Sequence, residues 1–195
     1  MCSSDLGEAQ CDVPGKHNVL NALAAIAAGM EIGLDFGQAS TGLAQFKGVR
    51  RRFELKGEKS GVKIFDDYGH HPTEIKATLA AARKSWSGRI VTCFQPHRYS
   101  RTQDCYDDFT RCFDETDSLF LVDIYPAGEA PLDGISSEKL ADDIRQQGHK
   151  AVEYVGEVKG AAEKIGPKLQ KGDLFLTLGA GNGYFIGEQL LKILK

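Results

Sequence analysis

Residues 62–86 read VKIFDDYGHHPTEIKATLAAARKSW. Val62–Tyr68 is a short apolar run of strand type that ends in two carboxylates and a phenol. Thr73–Trp86 carries Ile75, Leu79 and Ala82 at i, i+4 and i+7, one face of a helix. Between them, Gly69-His70-His71-Pro72 is turn chemistry, with Pro72 suited to a first helical position and His71 or Thr73 to a cap. The same change of period recurs downstream. Ile90–Gln95, Leu119–Tyr125, Val152–Val155 and Leu174–Leu178 read as strands, and Gln103–Glu115, Ser136–Gln147, Val158–Leu169 and Gly183–Leu194 as helices. Phe53–Leu55 adds an edge strand. Strand–helix alternation of this kind predicts an α/β fold, a mostly parallel sheet with helices on both faces.

Parallel topology has a functional consequence. Right-handed crossovers bring the loops that follow the strands to one edge of the sheet, where open α/β proteins bind ligands. Here those loops are Asp66–Pro72, Gln95–Thr102, Tyr125–Glu129 and Gly179–Gly183, and most of the polar and aromatic chemistry sits in them.

Upstream of Phe53 the pattern is different. Residues 1–13 carry no periodicity. After Pro14 and Gly15, Val19, Leu23, Ile26 and Met30 recur at helical spacing and predict a buried or half-buried helix, broken up by Gly29, Gly33 and Gly37, with a second short helix ending near Phe46. Residues 1–49 are too few to bury a core alone and read as the tail of another domain. Lys47-Gly48-Val49-Arg50-Arg51-Arg52 is the boundary, which gives domains 1–49 and 50–195.

Composition excludes several classes. The 195 residues are 42% hydrophobic and 26% charged, as expected of a globular chain rather than a disordered or collagenous one. A net charge of -3 provides no attraction to nucleic acid or to an anionic membrane. No apolar run approaches the ~20 residues of a membrane span, and the first residues lack a signal-peptide pattern. Five cysteines without CxxC spacing read as reduced thiols in the cytoplasm.

Within the loops, Asp66, Asp67, Tyr68, His70 and His71 converge between a strand end and a helix start, a set able to bind a sugar, a polar substrate or a Mg2+ shell. The plain alternative is a capped, solvated turn. Arg98 and Arg101, with His97, offer guanidinium forks to a carboxylate or phosphate; near a helix N-terminus the dipole disfavours cations, which argues for a bound anion. Arg50-Arg51-Arg52 reaches phosphate or is solvated. Asn18 and Asn21, one turn apart beside His17, either read a base edge or cap the helix. Gly179-Ala180-Gly181-Asn182-Gly183 reads as a tight turn. No Walker A loop occurs, since Gly15-Lys16 is followed by His17 with Gln10 in place of the first glycine, and no zinc spacing joins Cys93, His97, His70 and His71.

Taken together, PGKHNVLNALAA (14–25), GVRRRFE (48–54), DDYGHHPTE (66–74), FQPHRYSRT (94–102), DIYPAGE (123–129) and LGAGN (178–182) resemble the Mur ligase family, in the same order from about residue 12 to the end. The resemblance implies a Rossmann-like C-terminal ligase domain preceded by the helical tail of a truncated central ATP-binding domain. It implies an ATP-dependent amide-bond ligase of peptidoglycan precursor synthesis, in which ATP converts the carboxylate of UDP-N-acetylmuramate to an acyl phosphate and the amine of L-alanine attacks it. ATP and Mg2+ are the implied cofactors, with most Mg2+ ligands and the P-loop in parts of the parent chain not represented here; alone, the 195 residues are expected to be inactive. Carried over by motif, His17, Asn18 and Asn21 lie around adenine, Arg52 towards phosphate and Asp67 towards ribose. Tyr68, His70, His97, Arg98 and Arg101 form the L-alanine pocket, and Arg52, Asp67, His70 and Arg98 serve the chemistry. Three rivals remain: a ligase that recycles a ready-made tripeptide, a non-catalytic nucleotide- or amino-acid-binding module, and a metal-dependent hydrolase using the paired histidines.

Overall fold

The computed structural model describes residues 6–13, 15–46, 48–149 and 151–195. Pro14, Lys47 and the side chain of His17, all used in the reading above, lie outside the described part. The chain divides into two compact units, Met1–Val49 and Arg50–Lys195.

In the first unit, α1 (Lys16–Glu31) packs on α2 (Phe36–Gln45). The break between them falls at Ile32–Asp35, where Asp35 forms a reciprocal cap with Gln38 (2.8 and 3.0 Å). Gly29 and Gly37 therefore lie inside helices and break nothing. The expected burial of α1 is only partly met. Ala22 and Ile26 are buried, but Val19, Leu20 and Leu23 stay 53%, 58% and 59% exposed, because one partner helix covers one stripe of a helix that is apolar over a wider arc.

The second unit is built on β1 (Glu54–Lys59), β2 (Val62–Asp67), β3 (Ile90–Phe94), β4 (Ser118–Val122), β5 (Val152–Gly156) and β6 (Leu174–Leu178). They form one sheet in the order β1-β2-β6-β3-β4-β5. Every neighbouring pair is parallel except β1–β2; β1 is the edge strand expected at Phe53–Leu55, but it runs on to Lys59 and is antiparallel. β3 and β6 are buried at every position because both their faces are covered. Ile90, Phe94, Leu174, Leu176 and Leu178 pack on one face against α3 (Pro72–Ser85), α5 (Tyr106–Phe109) and α6 (Ser137–Gln146). Val91, Cys93 and Phe175 pack on the other against α7 (Ala161–Ile165) and α8 (Tyr184–Ile193).

Two predicted helices differ. The one placed at Gln103–Glu115 starts earlier, as α4 (Tyr99–Asp104), and ends with α5 at Phe109. Thr110 Oγ1 turns back onto the Asp107 carbonyl (2.7 Å), and continuation would put Asp114 and Glu115 at the negative end of the helix dipole. Val158–Leu169 yields only α7 and a 3-10 turn, Gly166–Lys168, because Pro167 has no N–H for the α-helical ladder. β4 stops at Val122 rather than Tyr125.

Candidate functional site

The carboxyl ends of β2, β6, β3 and β4 lie side by side in the sheet, so the four loops named above share one edge. The connections leave that edge in opposite directions. α3 and α5 follow β2 and β3 onto one face, while α8 follows β6 onto the other. A crevice opens where such connections part.

At the end of β2 the two carboxylates have separate tasks. Asp66, 1% exposed, accepts from Thr177 Oγ1 (2.6 Å) and from Arg51 Nε (3.0 Å). Arg51 also donates to the Gly179 carbonyl (2.6 Å), and its guanidinium lies 4.9 and 4.8 Å from the ring centres of Tyr68 and Tyr184. One side chain thus ties the ends of β2 and β6 and braces two aromatic rings. Asp67, 4% exposed, accepts the N–H groups of Gly69 and Phe53, both at 2.7 Å. Burial pushes its carboxyl above the ordinary range, against the opposing pull of those N–H groups and of Arg52.

The next turn holds the histidines. His71 caps α3, Nδ1 accepting from Thr73 N–H (3.4 Å), with Pro72 at the first turn. His70 is aimed differently. Its Nδ1 lies 3.0 Å from the Tyr68 carbonyl, which only accepts, so Nδ1 carries the proton and Nε2 is left as an acceptor. Across the crevice, His97 stacks on Tyr125 (5.5 Å, 12°), and its ring centre is 5.9 Å from that of His70. Arg101 Nη1 donates to His97 Nδ1 (3.2 Å), which places the His97 proton on Nε2. The two imidazoles are therefore complementary, one offering a lone pair and the other an N–H. Burial, then the positive charges of Arg101 and Arg98, holds His97 below the usual histidine pKa and keeps it neutral near pH 7.

Arg98 sits at the start of α4 with φ 69°, a left-handed conformation uncommon outside glycine. It is fixed there by its N–H on the Tyr125 carbonyl (2.8 Å) and by Thr102, whose N–H and Oγ1 both donate to its carbonyl. Its side chain is left exposed at the crevice. Glu129 accepts from Ser100 N–H (3.0 Å) and Oγ (2.7 Å), bonds that hold it below the ordinary carboxylate range and lock the β4 loop to α4.

The glycine-rich turn does more than reverse the chain. Gln95, 3% exposed, donates to Asn182 Oδ1 (2.9 Å) and accepts from Gly183 N–H (2.7 Å). A Cβ at Gly179 would stand 2.5 Å from the Gln95 carbonyl, and one at Gly181 would stand 2.4 Å from Gln95 Oε1. Both glycines permit a backbone approach no other residue allows.

The structure thus brings Asp67, Tyr68, His70, His97, Arg98 and Arg101 to one edge, with the Arg52 guanidinium 5.8 Å from the Tyr68 ring centre. Asn18 and Asn21 lie on α1 in the other unit, their amides 3.4 Å apart; Gly15, not an asparagine, is the cap. Sequence reasoning missed Arg51, Gln95 and Tyr125. Each was visible only as a member of a longer motif, because its role depends on a loop distant in sequence. Among the described residues no three His, Cys, Asp or Glu side chains converge on a metal position.

The family model described as "Mur ligase, glutamate ligase domain" matches residues 51–181, the span that builds this edge. The chain belongs to the Mur ligase family. A UDP-N-acetylmuramate–L-alanine ligase from Geobacter sulfurreducens is 50% identical over 191 residues, covering 97% of this chain and 41% of the relative. One from Desulfosudis oleivorans is 53% identical over 189 residues, covering 96% and 41%. The chain therefore spans about two fifths of the length of the relatives it matches. Among solved structures, a UDP-N-acetylmuramate–alanine ligase from Thermotoga maritima aligns with a TM-score of 0.79 at 28% identity, over 95% of this chain and 39% of that one. A murein peptide ligase from Psychrobacter arcticus aligns at 0.68 and 26%, over 95% and 38%. This Mur ligase chain has, among its described residues, no helix long and apolar enough to cross a membrane.

Proposed function

We propose that this chain serves in the ATP-dependent joining of L-alanine to UDP-N-acetylmuramate in the cytoplasm, with the Arg50–Lys195 sheet edge holding the amino acid. The observation that carries the reading is the convergence of His70, His97 and Arg101 from two different loops, with ring centres 5.9 Å apart and an Arg101–His97 contact of 3.2 Å. Arg98 supplies the exposed guanidinium for the α-carboxylate, and Arg101 adds positive potential while fixing His97. Tyr68 walls the small side chain. His70 Nε2 accepts one of the two protons the ammonium must lose; the nitrogen then attacks the acyl-phosphate carbon, the C–O bond to phosphate breaks, and the departing phosphate takes the second proton as the amide forms. His97 Nε2–H then faces the developing negative charge.

On the same reading Arg52 reaches phosphate, and Asp67 offers its remaining lone pairs to a ribose hydroxyl while holding Gly69 and Phe53 in place. Residues 1–49 belong to a central ATP-binding domain, with His17, Asn18 and Asn21 beside adenine. ATP, when bound with Mg2+, supplies the activated carboxylate. The partners are these small molecules and the remainder of a longer ligase chain.

The test is a chimera in which Arg50–Lys195 replaces the matching segment of the Geobacter sulfurreducens relative. ADP release that requires both UDP-N-acetylmuramate and L-alanine is expected. A folded chimera that is inert with L-alanine, or that turns over only with a tripeptide, would overturn the reading. The 195-residue chain alone is expected to release no ADP under the same conditions.

A further inference from the structure

Glu74 stands in the first turn of α3. Its Oε2 accepts the N–H groups of His70 (3.1 Å) and His71 (3.3 Å), and lies 3.6 Å from His70 Nδ1. The bond to the His71 N–H completes a capping box, a place that glutamine fills as readily as glutamate. The helix start therefore accounts for an acceptor and not for a charge. Gly69 draws the turn this tight: a Cβ there would stand 2.8 Å from Asp67 Oδ1 and 3.6 Å from Glu74 Cβ. His70 Nδ1–H is thereby held between the Tyr68 carbonyl (3.0 Å) and a carboxylate. Burial opposes the ionisation of Glu74, but the two N–H bonds and then the Arg52 charge hold it below the ordinary carboxylate range, so it is an anion near pH 7.

The surroundings make that charge matter. His70 faces the Tyr68 ring on its own turn (5.3 Å between centres) and His97 across the crevice (5.9 Å), with Arg101 bonded to His97. Arg98 is exposed at the same edge, and the Arg52 guanidinium lies 5.8 Å from the Tyr68 ring centre. Of the other carboxylates, Asp67 is turned to the Gly69 and Phe53 N–H groups and Glu129 to Ser100. A proton arriving on His70 thus meets three cations, and Glu74 is the carboxylate placed against the ring to offset them. We infer that Glu74 is a positioning residue for His70: it fixes the proton on Nδ1, leaves Nε2 as the acceptor, and stabilises the imidazolium formed when Nε2 takes a proton. The inference rests on the reading of His70 as the base for the amino-acid ammonium. In that step an ammonium N–H bond breaks, its electron pair stays on nitrogen, and the Nε2 lone pair forms the new N–H bond. The positive charge moves to a ring whose Nδ1 is 3.6 Å from Glu74, and the proton passes to water when the ring discharges.

The experiment follows the histidine ring signals of the isotope-labelled 195-residue chain by NMR as pH is varied, in the wild type and in Glu74→Gln, with His70→Gln identifying the His70 signals. Glu74→Gln keeps the cap and removes the charge. The His70 transition should move to lower pH by about half a pH unit or more, the effect of one charge at this separation even in the dielectric of water. His149, whose Nε2 faces the Thr116 carbonyl (2.9 Å), should not move. Above its transition, wild-type His70 should show the proton on Nδ1 by its ring nitrogen shifts. That readout stands even if Glu74→Gln does not fold, which Trp86 fluorescence reports. An unmoved or raised His70 transition, or a wild-type proton on Nε2, would overturn the inference whatever the chimeric ligase does. In that ligase, the acidic limb of kcat against pH should move with the NMR transition in Glu74→Gln, with KM for ATP unchanged. Glu74→Asp, which keeps a carboxylate, should stay nearer the wild-type limb. An NMR shift with an unmoved limb supports the pairing and overturns the reading of His70 as the base.

Discussion

Arg51 should be the most damaging surface-proximal side chain to remove. Asp66 is 1% exposed, and Arg51→Ala takes away its cation and leaves only the Thr177 hydroxyl as a partner. Breaking a buried ion pair from one side costs about 3–5 kcal/mol. The Arg51 side chain is 23% exposed, so solvent weakens the pair and the lower end, about 3 kcal/mol, applies. Loss of the two ring contacts adds about 0.5–1 kcal/mol each. The expected total is roughly 4–5 kcal/mol, a fall in Tm of about 8–20 °C for a unit of this size. Urea unfolding followed by Trp86, the single tryptophan, reads the correct unit, since its indole donates to the Gly172 carbonyl (3.2 Å). In an Asp66→Asn background the cost of Arg51→Ala should fall by about 2 kcal/mol, the coupling expected of contacting charges. A cost below about 0.5 kcal/mol, or additive effects in the double variant, would refute the assignment of Arg51 as the tie between β2 and β6.

Other consequences are as specific. Gly181→Ala would drive a Cβ to 2.4 Å from Gln95 Oε1 and 2.8 Å from Tyr125 Cβ, and should destabilise by about 1–3 kcal/mol in the same melt, since Gln95 and Tyr125 are themselves fixed. His97, held below its unfolded pKa of about 6.5, binds fewer protons folded than unfolded. Its contribution to stability is complete above that pH and is lost as pH falls through the folded value. The wild type minus His97→Gln difference in unfolding free energy should therefore shrink on acidification, and a flat difference would remove the assignment. Cys93, buried and with its thiol pushed up to about 12, should resist a maleimide in the native state while half-buried Cys105 is modified; equal rates would contradict the burial pattern.

Much of the fold was readable because the buried strands are continuous apolar runs. β6 was predicted residue for residue, and Ile75, Leu79 and Ala82 do form the buried face of α3. Boundaries failed where side chains act on the backbone, as at Thr110 and Pro167. The residues of the candidate site were found by type and motif, since two arginines beside a histidine and two carboxylates at a strand end are costly without a purpose. Their division of labour was not readable. Nothing local distinguishes Asp66 from Asp67 or Arg51 from Arg52; the difference arises from Thr177, Gly179 and Tyr184, more than a hundred residues downstream. Nor does periodicity show whether the apolar arc of α1 is covered.

The central claim is that the crevice between the histidine turn and the arginine turn holds the amino-acid substrate. Steady-state kinetics of the chimeric ligase carrying Arg98→Ala or Arg101→Ala test it most directly. The account predicts that KM for L-alanine rises by tenfold or more in Arg98→Ala, the loss of about one charged hydrogen bond, and rises in Arg101→Ala through lost positive potential and a released His97, while KM for ATP changes little in either. Equal effects on both, or an unchanged KM for L-alanine, would contradict it.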